Sequence, residues 1–119
     1  MPRFRKDRVA ELVRQVLADL LRRKIKDPRT EGVTITEVRM SADLKIATVY
    51  FSSLADGKAE VHLQGLTACE GFLRHELRRE LDLKYIPQLT FMYDSAFDNF
   101  DRINRILKGL EGRETADDS

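Results

Sequence analysis

The sequence predicts a single α+β domain with its elements in the order α-β-β-α-(kink)-α-β-α. Three observations predict it. Seven apolar residues recur at helical spacing near the N-terminus. Two runs rich in β-branched and aromatic residues flank a short polar turn. A second long helical stripe is interrupted by Gly71 and closed by Pro87. At 119 residues the chain fits one domain, and a chain of that size hides roughly two-thirds of its unfolded surface.

The first helix rests on Val9, Leu12, Val13, Val16, Leu17, Leu20 and Leu21, the i, i+3, i+4, i+7 stripe of an amphipathic helix. Pro28 disfavours helical geometry at Asp27, so this helix is expected to end near there. Thr30 to Met40 reads as a strand. Val33 and Ile35 share one phase and Val38 and Met40 the other, which calls for a bulge between them. Ser41-Ala42-Asp43 is a turn, and Leu44 to Phe51 is the second strand, with Leu44, Ile46 and Tyr50 on one face. Asp56-Gly57 opens a second helical region striped by Leu66, Cys69, Leu73, Leu77 and Leu81. Gly71 inside it points to a kink or a close approach. Leu89, Phe91 and Tyr93 alternate with Thr90 and Met92 as a third strand. A last helix starts after Ser95, with Asp98 as its capping acid, the stripe Phe100, Ile103, Ile106/Leu107 and Leu110, and Gly109 at its end. The domain is expected to cover residues 1–110, with 111–119 a short acidic flexible tail.

Composition narrows the function classes. Cys69 is the lone cysteine, so an intramolecular disulfide or a multi-cysteine zinc site is out of reach. No apolar run approaches the roughly 18 residues of a membrane span, and no apolar segment follows the basic N-terminus as in a signal peptide. A soluble cytoplasmic protein without membrane contact is expected. Net charge is only +1, but residues 1–29 hold ten Lys/Arg against four acids, while residues 30–73 and 74–119 are net acidic. Within the last stretch Arg74, Arg78, Arg79 and Lys84 cluster. Such separation concentrates a polyanion near the basic surface, although arginines on helices also serve plain solvation.

Catalytic chemistry is hard to find. His62 and His75 are thirteen residues apart on one helical region, too far to share a ligand on adjacent turns. There is no His-Glu-x-x-His, Walker glycine loop or Gly-x-Ser-x-Gly. Asp43, Asp94, Asp98 and Asp101 fall at a turn and a helix start, where capping and the helix dipole account for them. Cys69 lies on an apolar stripe and reads as a small hydrophobe. Tyr50, Phe51, Phe91 and Tyr93 sit at alternating strand positions and read as core rather than as base-stacking platforms. The chain is expected not to be an enzyme, with no catalytic residue, metal or cofactor.

The residues carry a family resemblance. Arg8-Val9-Ala10 leading into Ile25-Lys26-Asp27-Pro28-Arg29, the segment Val38-Arg39-Met40-Ser41-Ala42-Asp43-Leu44, Gly71-Phe72-Leu73-Arg74, and Ile86-Pro87-Gln88-Leu89-Thr90-Phe91 followed by Tyr93-Asp94 together resemble the ribosome-binding factor A family from about Phe4 to Leu110. The resemblance implies a type-II KH-like domain, α-β-β-α-(kink)-α-β plus a C-terminal helix, with a three-stranded sheet packed on helices. It implies a non-catalytic assembly factor that binds the free 30S small ribosomal subunit and assists late maturation and 5′-end processing of 16S rRNA, with importance for growth in the cold. The factor would be a monomer, with 16S rRNA and, in addition, ribosomal proteins as partners. KH domains that grip single-stranded RNA use a Gly-x-x-Gly loop, absent here. The family's Ala-x-Gly kink corresponds to Cys69-Glu70-Gly71, and Glu70 puts an acid where a phosphate would approach. Backbone and shape recognition of folded RNA therefore fits better than base readout.

On that basis the candidate RNA-binding residues are Arg3, Arg5, Lys6, Arg8, Arg22, Arg23, Lys24, Lys26 and Arg29, with Arg74, Arg78, Arg79 and Lys84. Two other readings of the residues stay open. One is a protein-interaction module docking through an amphipathic helix. The other is a small metal-dependent enzyme built on Asp94, Asp98 and Asp101.

Overall fold

The computed structural model describes residues 2–53, 57–96 and 103–109, with side chains from residue 5 onward. Helix α1 runs Pro2–Arg23 and buries Val9, Val13, Leu17 and Leu20, the inner part of the expected stripe. It ends four residues earlier than Pro28 alone required. The amides of Lys24 and Ile25 both fold back onto the Leu20 carbonyl, at 2.8 and 3.1 Å, which closes the last turn. Asp27 is then extended (φ −73°, ψ 122°), as a residue before proline must be, and Pro28–Thr30 forms a single 3-10 turn. The expected strand start at Thr30 is thereby displaced. Asp27 draws the Arg29 amide onto its own carboxylate and so diverts this backbone from the ladder. Gly32 (φ +86°) turns the chain into the sheet.

Strand β1 spans Val33–Met40 and pairs antiparallel with β2, Ile46–Ser53. The register slips between Ile35 and Glu37, so Thr36 is the extra residue of the bulge that the phase change called for. Leu44 belongs to the hairpin turn and not to the strand, with a left-handed backbone (φ +62°). The face of Ile46 and Tyr50 is the accessible one. Ala47, Val49 and Phe51 carry the buried phase of β2. Strand β3, Gln88–Tyr93, pairs parallel with β2, and the sheet order is β1-β2-β3.

Parallel neighbours need a crossover, and here it is a helix pair: α2, Ala59–Ala68, and α3, Glu70–Glu80. Leu66, Leu73 and Leu77 from this pair meet Val13, Leu17 and Leu20 of α1 over Ile35, Val49, Phe51, Leu89 and Phe91 of the sheet in one core. Each such fully buried side chain is worth about 1.5–3 kcal/mol of transfer free energy. Phe51 and Tyr93 add an edge-to-face contact at 5.7 Å.

The break between α2 and α3 falls on Cys69 (φ −91°, ψ 0°), whose amide still reaches Gly65 and Leu66 carbonyls while its own carbonyl accepts from Leu73. A Cβ at Gly71 would meet nothing within 4 Å among the described residues, so the close approach lies elsewhere, at Gly65. Residues 95–96 and 103–109 are helical, but Ile103, Ile106 and Leu107 are 58, 56 and 51% exposed and join no core among the described residues. Asp98, Phe100 and Leu110 lie outside the described residues. The α-β-β-α-α-β order around a three-stranded mixed sheet is the expected KH-like α+β architecture. Among the described residues no helix is long and apolar enough to cross a membrane.

Candidate nucleic-acid interface

Two basic clusters that are fifty residues apart in sequence meet in space. Lys24, just past the end of α1, places its ammonium 3.0 Å from the Glu76 carboxylate on α3, and Arg79 approaches the other oxygen of Glu76 at 3.6 Å. The Glu76 side chain is only 6% exposed. Its position comes from the α3 stripe: with Leu73 and Leu77 inward, residue 76 lies at the edge of the buried face. The hydrogen bond from Lys24 is the main cause of a Glu76 pKa below the ordinary glutamate value. A buried acid thus joins the end of α1 to α3: Lys24 and Arg79 flank one carboxylate, and Arg23 lies close enough to feel its charge.

Near the end of α1, Asp19 accepts from Arg23 Nε and Arg22 Nη2, each at 2.7 Å. The two guanidiniums, Arg23 first, hold the Asp19 carboxyl down at about 2. The Arg22 side chain remains 78% exposed. Surface pairs of this kind contribute little to stability, so both arginines can exchange Asp19 for a phosphate at small cost, and the planar guanidinium suits bidentate binding.

The Lys26-Asp27-Pro28-Arg29 turn continues the same end of the molecule. Asp27 accepts from the Arg29 amide at 2.9 Å and from Arg29 Nη2 at 2.7 Å, and the Arg29 guanidinium is the main cause of its lowered pKa. The turn packs on α2. His62, 3% exposed, has Nδ1 at 2.6 Å from the Arg29 carbonyl, and a side chain at Gly65 would put its Cβ 2.7 Å from Arg29 Cβ. Cys69 lies close enough to feel the charges of Asp27 and Arg29. The turn and the α2–α3 kink are therefore neighbours, a juxtaposition that sequence spacing does not display. Burial pushes the Cys69 thiol up, which fits a packing role and not a nucleophile.

The remaining candidates divide. Lys26 and Arg78 are exposed and make no ion pair among the described residues. Arg74 donates to the Pro87 and Ile86 carbonyls at 3.2 and 3.4 Å, bracing the loop before β3. Lys84 lies 5.4 Å from the Tyr85 ring centre and faces Arg5 across a cleft of ≈ 240 Å³ at the other end of the domain. Arg5, Lys6 and Arg8 also belong to that end: α1 has 22 residues, so its ends are about 33 Å apart. The Arg3 side chain lies outside the described residues. The N-terminal run of positive charge is thus split into two separate ends.

A groove of ≈ 870 Å³ between α1 and the turn with β1 is lined by Arg14, Arg22 and Lys26 together with Asp19, Asp27 and Glu31. Its charges cancel, so it offers a polyanion no attraction. The metal-enzyme reading gains nothing: Asp43 accepts from the Ser41 hydroxyl and Lys45 amide, Asp94 accepts from the Thr36 hydroxyl, and no group of three metal-ligating side chains occurs among the described residues. Asp98 and Asp101 lie outside them. Sequence reasoning missed His62, Gly65 and Glu76. Only Gly65 left a signal, as a second glycine in the helical stripe.

Comparison with known proteins agrees with this architecture. The family model described as Ribosome-binding factor A matches residues 5–107. A ribosome-binding factor A of Syntrophobacter fumaroxidans is 46% identical over 113 residues, which cover 92% of this chain and 97% of the relative. The crystal structure of ribosome-binding factor A from Thermus thermophilus is similar with a TM-score of 0.68 at 26% identity, covering 74% of this chain and 93% of that one. A Thermus thermophilus homology model fitted into the cryo-EM map of a 30S complex is similar with a TM-score of 0.64 at 25% identity, covering 76% and 97%. With the family model spanning most of its length and a relative at this identity, the chain belongs to the ribosome-binding factor A family.

Proposed function

We propose that this protein binds the free 30S small ribosomal subunit through phosphates of its 16S rRNA, as a non-catalytic assembly factor acting in the cytoplasm. The Thermus thermophilus relative fitted into a 30S complex supports the choice of partner. The observation that carries the contact is the joining of α1 and α3 at Glu76, which brings Lys24 and Arg79 to one carboxylate, with Arg22, Arg23 and the Lys26–Arg29 turn adjoining Lys24 along the chain. Residues 1–110 act as the binding domain and 111–119 as an acidic tail. The bound factor assists late maturation, including 5′-end processing of 16S rRNA, and is needed most in the cold.

A kink without Gly-x-x-Gly leaves no phosphate-gripping loop between α2 and α3, so recognition goes to RNA backbone and shape. Such binding weakens with salt, at a log–log slope near −0.9 per phosphate engaged on duplex DNA, with a similar dependence expected for folded RNA. Co-sedimentation with separated small subunits, large subunits and whole ribosomes across a salt series is the test. Selective travel with free small subunits, lost gradually as salt rises, is the expected result. Equal binding to all three particles reduces the activity to general RNA binding, and binding to none removes the reading. A strain lacking the protein should accumulate 16S rRNA with an extended 5′ end, more so at low temperature. One observation also favours a share for ribosomal proteins: the apolar Ile103, Ile106 and Leu107 stay exposed on the helical segment 103–109.

A further inference from the structure

His62 does something that its neighbours on α2 do not. It is 3% exposed, faces no catalytic partner, and its Nδ1 lies 2.6 Å from the backbone carbonyl of Arg29, thirty-three residues away in sequence. A carbonyl oxygen only accepts, so Nδ1 carries the proton and the ring is held as one tautomer. Nε2 is buried without a partner among the described residues. A leucine would fill this space without an orphaned polar atom, so packing alone does not explain an imidazole here. The bond it makes does: Arg29 belongs to the Lys26–Arg29 turn, whose carbonyl would otherwise point into α2 unsatisfied.

One turn of helix further on, Gly65 leaves the room that Arg29 occupies. From the other side, Asp27 clasps the Arg29 amide and guanidinium. The turn is therefore fixed by a donor from α2, a gap in α2 and its own aspartate. It is a short, exposed backbone segment between α1 and β1 that would otherwise be free to swing.

We propose that His62 is a positioning residue for the RNA contact: through the Arg29 carbonyl it seats the Lys26–Arg29 turn on α2 and presents its cations to phosphate in one arrangement. This rests on the RNA-binding reading given above. Pre-organisation of this kind improves affinity by removing the ordering cost on binding, with no direct contact by the residue itself.

The test uses the full chain, purified small ribosomal subunits as the probe, and a salt series, with circular dichroism and thermal melts of each free variant. His62→Leu removes the donor and keeps the bulk. His62→Asn keeps a donor, because its amide nitrogen falls where Nδ1 stands. Affinity is expected to fall about tenfold in His62→Leu, with the salt slope shallower by about one contact, and to return to within about twofold in His62→Asn. In an Arg29→Ala background, His62→Leu should add little further loss, because both act through one turn. Should His62→Leu not fold, His62→Gln replaces it, its amide being one methylene too far out, and the Asn variant must still bind more tightly.

Wild-type binding by His62→Leu, equal losses in the Leu and Asn variants, or additive losses with Arg29→Ala each overturn the proposal while leaving subunit binding intact. Wild-type binding by Arg29→Ala overturns it too, by removing the turn from the contact. Failure of the wild-type protein to bind small subunits overturns the functional reading instead, and the proposal falls with it.

Discussion

The Thr36 hydroxyl donates a 2.7 Å hydrogen bond to the Asp94 carboxylate, linking the bulge of β1 to the residue that follows β3. The two strands are not neighbours, since β2 lies between them. The bulge makes the link possible: as the extra residue between Ile35 and Glu37, Thr36 is released from regular pairing, and its hydroxyl sits also 3.3 Å from the Tyr50 carbonyl of β2. The Asp94 amide meanwhile donates to Phe51 at 2.7 Å. One irregular residue thus ties all three strands together at the end of the sheet from which the C-terminal segment departs.

Replacing Thr36 with valine keeps the β-branched shape and removes the donor. A hydrogen bond to a charged, partly exposed group of this kind is worth about 1–2 kcal/mol. Urea unfolding of Thr36→Val should show a lower midpoint with an unchanged m-value. The folded variant should bind small subunits as the wild type does, because the bulge lies away from the α1–α3 face. A matching midpoint would show that the bond contributes nothing.

Acid should loosen the junction between α1 and α3. The folded-state pKa of Glu76 lies below the ordinary glutamate value of 4.5. Its contribution is therefore fully present above about that pH, and it is lost as the pH falls through the lower folded value. Asp19, held at about 2 by Arg23 and Arg22, acts with the same sign. The stability difference between wild type and Glu76→Gln, followed by chemical unfolding from pH 7 to pH 2.5, should be constant down to roughly pH 5 and then narrow. A constant difference across the whole range would mean that the Lys24–Glu76 pair is not what fixes the junction.

Much of the fold was legible because core periodicity speaks through chemistry that the sequence displays. Val9, Val13, Leu17 and Leu20 of the α1 stripe, Ile35, Val38 and Met40 on either side of the bulge, and the Leu89/Phe91 alternation reappear as buried positions, whereas Leu12 of the stripe is 40% exposed and Val16, Leu21 and Val33 are only half-buried. The buried face of the second strand was not legible because both of its phases carry bulk. Ile46 and Tyr50 compete with Ala47, Val49 and Phe51, and only the packing of α1, α2 and α3 on one side of the sheet decides which phase is buried. The break between α2 and α3 falls on Cys69, the first residue of the expected Cys69-Glu70-Gly71 kink, while the tight contact falls on Gly65 and not on Gly71. The basic residues were legible as a list and not as a surface. That Lys24 meets Glu76, that Arg74 turns to backbone carbonyls, and that Arg5 and Lys84 share the opposite end are long-range facts with no local signature.

The seat of the turn has its own test in Gly65. An added Cβ would lie 2.7 Å from Arg29 Cβ, 3.1 Å from Thr30 Cγ2 and 3.2 Å from the Arg29 carbonyl carbon. Two of these neighbours are held by the turn's own hydrogen bonds, so the backbone must shift. Overpacking of this kind costs about 1–3 kcal/mol, offset in part by about 1 kcal/mol because alanine favours the helix over glycine. Gly65→Ala should therefore lower the melting temperature by several degrees and weaken subunit binding together. Gly71→Ala, with open space around it, should raise stability slightly and leave binding alone. If both variants behave alike, the packing of the turn on α2 has no consequence for the contact.

Arginines of the two basic clusters are expected to behave differently, and the contrast between Arg22/Arg23 and Arg74 separates an RNA face from a structural brace. Among the described residues Arg22 and Arg23 pair with Asp19, a surface acid, so reversing both to glutamate disturbs little of the fold. Affinity for small subunits should nevertheless drop steeply, and the salt dependence should become shallower by about two contacts. Arg74 instead donates to the carbonyls of Ile86 and Pro87, and Pro87 is fully buried. Arg74→Ala should cost about 0.5–1.5 kcal/mol of stability and leave the salt slope of binding unchanged. Unchanged affinity in the double reversal would take the end of α1 off the RNA. A shallower slope in Arg74→Ala would put that side chain on a phosphate in the complex, with its carbonyl contacts belonging to the free protein alone.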